Sequence, residues 1–199
     1  MAGIIKVDQV QSDSNLAFNI AGSNVAFMSA TSLQMVGSNV SLAGTNVITN
    51  GKVVTSAQPT GSVLQVVTST ITNAPSTTSG TYSSTGLSVT ITPSSASNKI
   101  LILPSLACAA SGSQGFNSSG YFAIYRGASQ INGDFILRSY YYNGAGVFMS
   151  MPGSSTYLDS PATTSATTYT IYFKTGASTA TYLNADGQQS HLTVMEIAG

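Results

Sequence analysis

Residues 99–109 read KILILPSLACA, and four consecutive aliphatic residues stand at Ile100–Leu103. A short and nearly unbroken apolar run of this kind is typical of a strand in the middle of a sheet. The run therefore predicts a central strand that is buried on both faces. Cys108, the single cysteine of the chain, lies at the apolar end of the segment, where we expect it to pack as a small buried hydrophobe. A reactive thiol and an interchain bridge are the alternatives.

On either side of this segment, β-branched and aromatic residues alternate with small polar ones, and glycine, asparagine and proline interrupt them every few residues. The pattern is typical of short strands joined by turns. About eight to ten strands after residue 58 fit a jelly-roll-like β-sandwich. The predicted strands are Ser62–Thr72, Gly86–Thr92, Lys99–Ala109, Gly120–Arg126, Ser129–Tyr140, Val147–Met151, Ser155–Leu158, Thr167–Lys174, Thr179–Leu183 and His191–Ile197.

The last of these strands, His191–Ile197, has apolar residues at both its odd and its even positions. Successive side chains of a strand point to opposite faces of the sheet. We therefore expect one face of this strand to meet the core and the other to meet a neighbouring subunit.

The first part of the chain contains a degenerate repeat. Gly22–Val25, Gly37–Val40 and Gly44–Val47 are nearly the same tetrapeptide, and apolar pairs begin at intervals of nine, eight, seven and seven residues from Leu16 onward. Each unit predicts a strand of about three or four residues with one apolar face, followed by a turn. The candidate residues for the apolar stripes are Val25, Phe27, Leu33, Met35, Val40, Leu42 and Val47.

One such unit buries too little apolar surface to fold alone, because ordering costs about 1.5 kcal/mol per residue. We therefore expect residues 1–58 to form a β-prism or triple-stranded β stalk from three copies of the chain. A β-meander within a single chain is the alternative. Residues 59–199 would form the jelly-roll-like sandwich of the same trimer.

Charge is scarce along the whole chain. Charged residues make up 6% of the sequence, against about 25% in an average domain, and the six basic residues are scattered singly. The absence of a basic cluster argues against nucleic-acid binding, and no apolar run is long enough to insert into a membrane. Aromatic residues at 9% argue against a disordered chain.

Candidate catalytic groups are few, and the sequence predicts neither an enzyme nor a cofactor or metal site. His191 is the single histidine, and it lacks a nucleophile elbow with which to form a triad. One cysteine and one histidine cannot complete a zinc site. Glycoside hydrolysis requires two carboxylates at a fixed separation. The candidates, which we interpret as turn residues or solvated strand ends, are Asp134, Asp159, Asp186 and Glu196.

Two predicted loops are candidates for contact with a glycan or receptor. One holds three consecutive tyrosines beside a tight turn, and the other holds a phenylalanine next to an asparagine. Tyrosine rings can stack on sugars while their hydroxyls form hydrogen bonds, but they can equally pack a seam between subunits. The candidate residues are Tyr140, Tyr141, Tyr142, Asn143, Phe116 and Asn117.

Five segments of the second part of the chain carry a resemblance to a known family, namely Ser97–Ile102, Phe122–Gly127, Tyr157–Pro161, Thr167–Phe173 and Leu192–Ile197. In the order and composition of these segments, residues 61–199 resemble small fibre and tail-fibre-like proteins of tailed bacteriophages, particularly those of marine bacteria and cyanobacteria. The opening segment Gly3–Asp8 also looks like the start of fibre proteins that attach to the virion. The resemblance implies a homotrimer, an N-terminal part bound to other virion proteins, and an exposed, distal domain that decorates the particle or binds the host surface.

The resulting hypothesis is a virion structural protein, a homotrimeric fibre or spike component that contributes to attachment to a host cell-surface glycan. A capsid decoration protein without a receptor role is the first alternative. A polysaccharide-degrading spike is the second.

Overall fold

The chain divides into two units, Met1–Gln58 and Pro59–Gly199, and its regular secondary structure is almost entirely antiparallel β-strand. A single short 3-10 helix, Ala185–Gly187, is the exception among the described residues. The structure is a computed structural model, which describes residues 16–20, 23–28, 33–35, 39–42, 45–49, 52–53, 58–112, 118–139, 147–176 and 180–199.

The first unit contains two three-stranded sheets, in each of which consecutive strands pair antiparallel. The predicted short strands are therefore present, and within one chain they pair as meanders. The assembly of three copies into a prism or stalk stays a prediction. The strands are β1 (Leu16–Ile20), β2 (Ser23–Met28) and β3 (Leu33–Met35) in one sheet, and β4 (Asn39–Leu42), β5 (Thr45–Thr49) and β6 (Lys52–Val53) in the other.

The second unit contains a seven-stranded sheet arranged around one long strand, β10, of 14 residues. On one side β10 pairs with β18 and then β17, and on the other side it pairs with β15 and then β14. Strand β7 pairs with β18, and β8 pairs with β17. The bounds are β7 (Val63–Ile71), β8 (Ser76–Thr77), β10 (Lys99–Gly112), β14 (Val147–Ser154), β15 (Tyr157–Asp159), β17 (Ala180–Leu183) and β18 (Ser190–Ile197).

A five-stranded sheet forms the other layer of this unit. Strand β16 lies between β9 and β11, while β12 and β13 pair with successive parts of the free edge of β11. The bounds are β9 (Ser83–Ile91), β11 (Ser118–Arg126), β12 (Ser129–Gln130), β13 (Phe135–Ser139) and β16 (Thr167–Thr175).

The core lies between these two sheets and follows from strand alternation. In β16 every second residue from Thr167 to Thr175 is buried, and in β18 the same alternation runs from Ser190 to Glu196. Because one face of each sheet supplies the core, the apolar residues on that face are shielded from water. The largest fully buried apolar and aromatic side chains are Tyr169, Phe122, Phe173, Leu87, Ile91, Ile100, Ile102, Ile124, Ile171, Leu183 and Leu192.

The expectation that Ile100–Leu103 is buried on both faces is wrong. The segment is central in its sheet, and Ile100 and Ile102 are fully buried, but Leu101 and Leu103 remain partly exposed. The physical reason is the two-layer architecture, because the five-stranded sheet covers one face of the seven-stranded sheet. The outer face carries leucines that nothing in the described part of the chain buries completely.

Most predicted strands of this unit are present, with two differences. The predicted strand Ser129–Tyr140 is divided into β12 and β13, because the side-chain oxygen of Asn132 accepts a hydrogen bond from the Ile124 amide at 2.7 Å. This contact replaces the backbone pairing that a continuous strand would make. The short strand β8 was not predicted, since two residues carry no detectable periodicity.

Cys108 is 2% exposed, which confirms that it packs as a buried hydrophobe. Burial raises the pKa of its thiol to about 12, so the reactive thiolate is suppressed at neutral pH. Gly153 lies on the neighbouring strand, and a β-carbon placed there would lie 2.8 Å from the Cys108 sulfur. Glycine is therefore required at that position for β14 to approach β10.

Replacement of Gly120 with alanine will lower the free energy of unfolding by about 1–3 kcal/mol. The new methyl group would lie 2.7 Å from Cγ2 of Thr181, which is itself fully buried in the opposite sheet. Urea denaturation measures the change. Gly80→Ala is the matched control, because nothing lies within 4 Å of its β-carbon position. Equal stability of the two variants would contradict the tight approach of the two sheets.

Candidate functional site

The carboxylate of Asp159, on the seven-stranded sheet, joins the two sheets by accepting hydrogen bonds from two residues of the five-stranded sheet. Asp159 ends β15 and is 6% exposed. Nη1 of Arg126 donates to both of its oxygens, at 2.9 and 2.8 Å, and the hydroxyl of Tyr169 donates to Oδ2 at 2.7 Å. Burial, together with this carboxylate, raises the pKa of the Tyr169 hydroxyl. A carboxylate that accepts three hydrogen bonds from these two side chains is held in place and joins strands of different sheets.

Glu196 forms a second buried carboxylate network near the end of the chain. The residue is 1% exposed. Its Oε1 accepts hydrogen bonds from the backbone N and Oγ of Ser94 and from Nδ2 of Asn98, and its Oε2 accepts one from Nε2 of Gln65. Burial alone would raise the pKa, but the hydrogen bonds from Asn98, Gln65 and Ser94 outweigh it and lower the pKa of Glu196.

The interpretation of Asp159 and Glu196 as turn residues or solvated strand ends is therefore wrong, because both carboxylates are buried and fully hydrogen-bonded. Both carboxylates act as structural cross-links, because each accepts hydrogen bonds from residues far away in sequence. Asp134 and Asp186 are exposed, as expected for turn residues. Within the described part of the chain, no three metal-ligating side chains lie close enough together to bind a metal ion.

His191 lies on the outer face of the seven-stranded sheet, where its Nδ1 is 2.9 Å from Oγ1 of Thr70 on the adjacent strand. Among the described residues, no carboxylate is hydrogen-bonded to this imidazole. A groove of about 310 Å³ lies nearby, between β10 and β14. Its lining has no ionisable side chain and consists of Ser105, Leu106, Ala107, Ser150, Met151, Pro152, Gln188 and Gln189.

A cluster of four half-buried tyrosines lies on the outer face of the five-stranded sheet. We call it the tyrosine face, and define it as Tyr82, Tyr121, Tyr125 and Tyr172. The rings of Tyr125 and Tyr172 stack with centroids 4.0 Å apart and an interplanar angle of 22°. Tyr82 contacts Tyr125 at 5.8 Å in a tilted arrangement.

The pairing of β11 with β16 explains why these rings meet. Ala123 pairs with Tyr172, and the neighbouring outward position on β11 is Tyr125, so the two rings lie diagonally across the strand pair. Diagonal neighbours on one face of a sheet are within reach of aromatic side chains. Ala123 points to the same outer face and is nevertheless fully buried, as expected beneath stacked rings.

An ion pair is placed among these rings. The ammonium of Lys174 lies 4.3 Å from the Tyr82 ring centroid and 5.1 Å from that of Tyr121. It is 3.5 Å from Oδ2 of Asp134, whose Oδ1 accepts a hydrogen bond from Gln130 at 2.9 Å. Cation–π contact and ion pairing thus fix Lys174 over the sheet.

Within the tyrosine face, the positive charge of Lys174 is balanced by the negative charge of Asp134. Burial would raise the pKa of Asp134, but its contacts with Tyr82, Gln130 and Lys174 lower it. Burial and the Asp134 charge raise the pKa of Tyr82. The Tyr82 hydroxyl is shielded from solvent. Because the Lys174 charge is balanced by that of Asp134, the cluster carries no net charge.

The residues predicted to contact a glycan lie outside the described residues, namely Tyr140, Tyr141, Tyr142, Asn143, Phe116 and Asn117. Those predicted for the trimer core lie on described strands: Val25 and Phe27 on β2, Leu33 and Met35 on β3, Val40 and Leu42 on β4, and Val47 on β5.

Sequence reasoning missed the tyrosine face. A signal was present, because Tyr121 and Tyr125 are four residues apart on one strand, and Tyr172 and Lys174 are two apart on another. Even spacing places each pair on one face of its strand. The pairing of β11 with β16, which joins the two pairs, cannot be read from local patterns.

No protein-family model matches the chain. No curated protein matches it in sequence either. None of the described helical structure is long and apolar enough to cross a bilayer.

Replacement of Glu196 with glutamine will lower the free energy of unfolding at pH 7 by about 2–4 kcal/mol, because an amide presents donors to groups that need an acceptor. The lowered pKa means that the carboxylate stabilises the folded chain fully above its ordinary pKa of 4.5. This stabilisation is lost as the pH falls through the lower folded pKa.

Urea denaturation at pH 7 and at about pH 3 tests this, and the difference between wild type and Glu196→Gln should shrink at the lower pH. Asp186→Asn is the control, since Asp186 is exposed, and its effect should stay within about 0.5 kcal/mol. A pH-independent difference would contradict the role assigned to the Glu196 charge.

Proposed function

We propose that this chain is a structural subunit of a tailed-phage virion, a homotrimeric fibre or spike component that contributes to attachment to the host surface. The N-terminal unit anchors and trimerises the subunit through its short strands. The C-terminal sandwich is the exposed part, and its host contact is adhesion without bond cleavage. The resemblance in residues 61–199 and the scarcity of charge support this assignment.

The tyrosine face is the observation that carries the attachment role. Its phenol rings are half-buried on the outer face of the sheet, and its one ion pair is internally balanced. Rigid tyrosines supply contact area and hydrogen-bonding groups at a low cost in conformational entropy. Such a surface suits a neutral, hydroxyl-rich ligand such as a host cell-surface glycan.

The carboxylates support adhesion over hydrolysis. Of the four candidates, Asp159 and Glu196 are buried in hydrogen-bond networks, and Asp134 is paired with Lys174. A glycosidase needs one carboxylic acid and one carboxylate on either side of a substrate. The described arrangement instead uses carboxylates to fix strands.

Purified full-length chain added to host cells should compete with phage adsorption, and Tyr172→Ala should weaken this competition by about tenfold, as expected for loss of a central aromatic contact. Ser88→Ala is the control, because Ser88 is exposed on the outer face of the same sheet. Circular dichroism of both variants verifies that they fold.

Virions that lack the chain distinguish a role in host attachment from a role in capsid decoration. Lost adsorption with unchanged heat resistance is the expected result. Lost heat or osmotic resistance with normal adsorption would instead assign the chain to shell stabilisation and would overturn the attachment role.

A further inference from the structure

An apolar row crosses the outer face of the seven-stranded sheet. The row consists of Val66 on β7, Met195 on β18, Leu101 on β10 and Leu158 on β15. Strand register places them side by side, because Met195 pairs with both Val66 and Leu101, and Leu101 pairs with Leu158. Their neighbours in sequence, such as Val67, Val194 and Ile102, belong to the core cluster or pack against it. The row is therefore on the side away from the core.

The ends of this row are strongly exposed. Val66 is 54% exposed and Leu158 is 48% exposed, while Leu101 and Met195 are half-buried by their neighbours. Antiparallel sheets that face water on one side normally place polar residues there. A continuous row of four apolar side chains across four strands departs from this pattern, and contiguous exposed apolar surface marks an interaction site.

Among the described strands of this sheet, Lys99 is the charged side chain on the outer face, and it lies at the first position of β10, in the last row at one end of the face. On the other side of the apolar row, Thr68 pairs with Thr193, and the following row contains Thr70 and His191. The buried carboxylates of this sheet, Asp159 and Glu196, are engaged in the networks described above. A face whose one charge lies at its end offers little to a charged partner, and a second copy of the same neutral chain can cover the apolar row while Lys99 stays in solvent at the rim.

The dimensions of the face are sufficient for a stable contact between copies. Four strands about 4.8 Å apart give a width of about 19 Å, and the 14 residues of β10 at about 3.3 Å each give a length of about 46 Å. The product is about 870 Å², and a standard stable interface buries about 800 Å² per partner. The available face therefore matches the size that a specific interface requires.

We infer that the outer face of the seven-stranded sheet packs against a second copy of this chain, with the row Val66, Leu101, Leu158 and Met195 at the contact. This rests on the proposed homotrimer and specifies which surface of the sandwich turns toward the three-fold axis, where each copy of the row meets the neighbouring copies. It leaves the outer face of the other sheet, which carries the tyrosine face, free for external contact.

Two matched cysteine variants test the inference in the full-length chain. Thr68 and Thr90 are both exposed, lie on the outer faces of the two different sheets, and are hydrogen-bonded to a cross-strand threonine at 3.0 and 2.8 Å. Native Cys108 is buried, so a maleimide reports only the new thiol. We expect Thr68→Cys to be labelled about tenfold more slowly than Thr90→Cys, because reaction requires the contact to open.

A Leu158→Asp substitution in the Thr68→Cys background should restore fast labelling, since a charge in the contact weakens it. Light scattering on the same samples separates the outcomes. Equal labelling rates in a multi-copy species would overturn the assignment of this face while leaving the proposed trimer intact. Slow labelling of Thr68→Cys in a single-copy species would show that the chain covers its own face and would overturn the inference. Equal rates in a single-copy species would overturn both the inference and the trimer.

Discussion

The alternation of side chains along β10 is the constraint on which the rest of the sandwich depends. Ile100 and Ile102 point into the core and are fully buried, while Leu101 and Leu103 point to the opposite face. Because β10 pairs with four other strands over its 14 residues, its two faces set the two faces of the whole sheet. One face is covered by the five-stranded sheet, and the other presents an apolar row for which a second copy is the proposed partner.

The small number of charged residues has a structural consequence. Arg126 with Asp159, and Glu196 with its amide and hydroxyl donors, hold together strands that are far apart in sequence. Buried carboxylates must be fully hydrogen-bonded to be tolerated, and both of these are. Apart from the apolar row, the described outer faces of both sheets are consequently rich in uncharged hydroxyl side chains, such as Thr68, Thr90 and Thr193.

Local patterns predicted much of the secondary structure, because strand alternation and turn residues are short-range signals. The β10 and β18 segments were found from apolar runs, and the all-β character from composition and turns. Local patterns did not predict the environment of particular residues. Leu101 lies on an uncovered face of its sheet. Glu196 is buried by hydrogen-bond donors that lie about a hundred residues or more away in sequence. Such environments depend on which strands pair, and register between distant strands is set by the whole fold. The tyrosine face was missed for the same reason.

Both the proposed stalk and the proposed covering of the apolar row require that the chain works as an assembly of identical copies. Sedimentation equilibrium of the purified chain measures this directly. We predict a mass of about three times the 20.3 kDa chain. A stable species of one chain mass in dilute solution, with the amides of its first unit protected from hydrogen exchange, would contradict it.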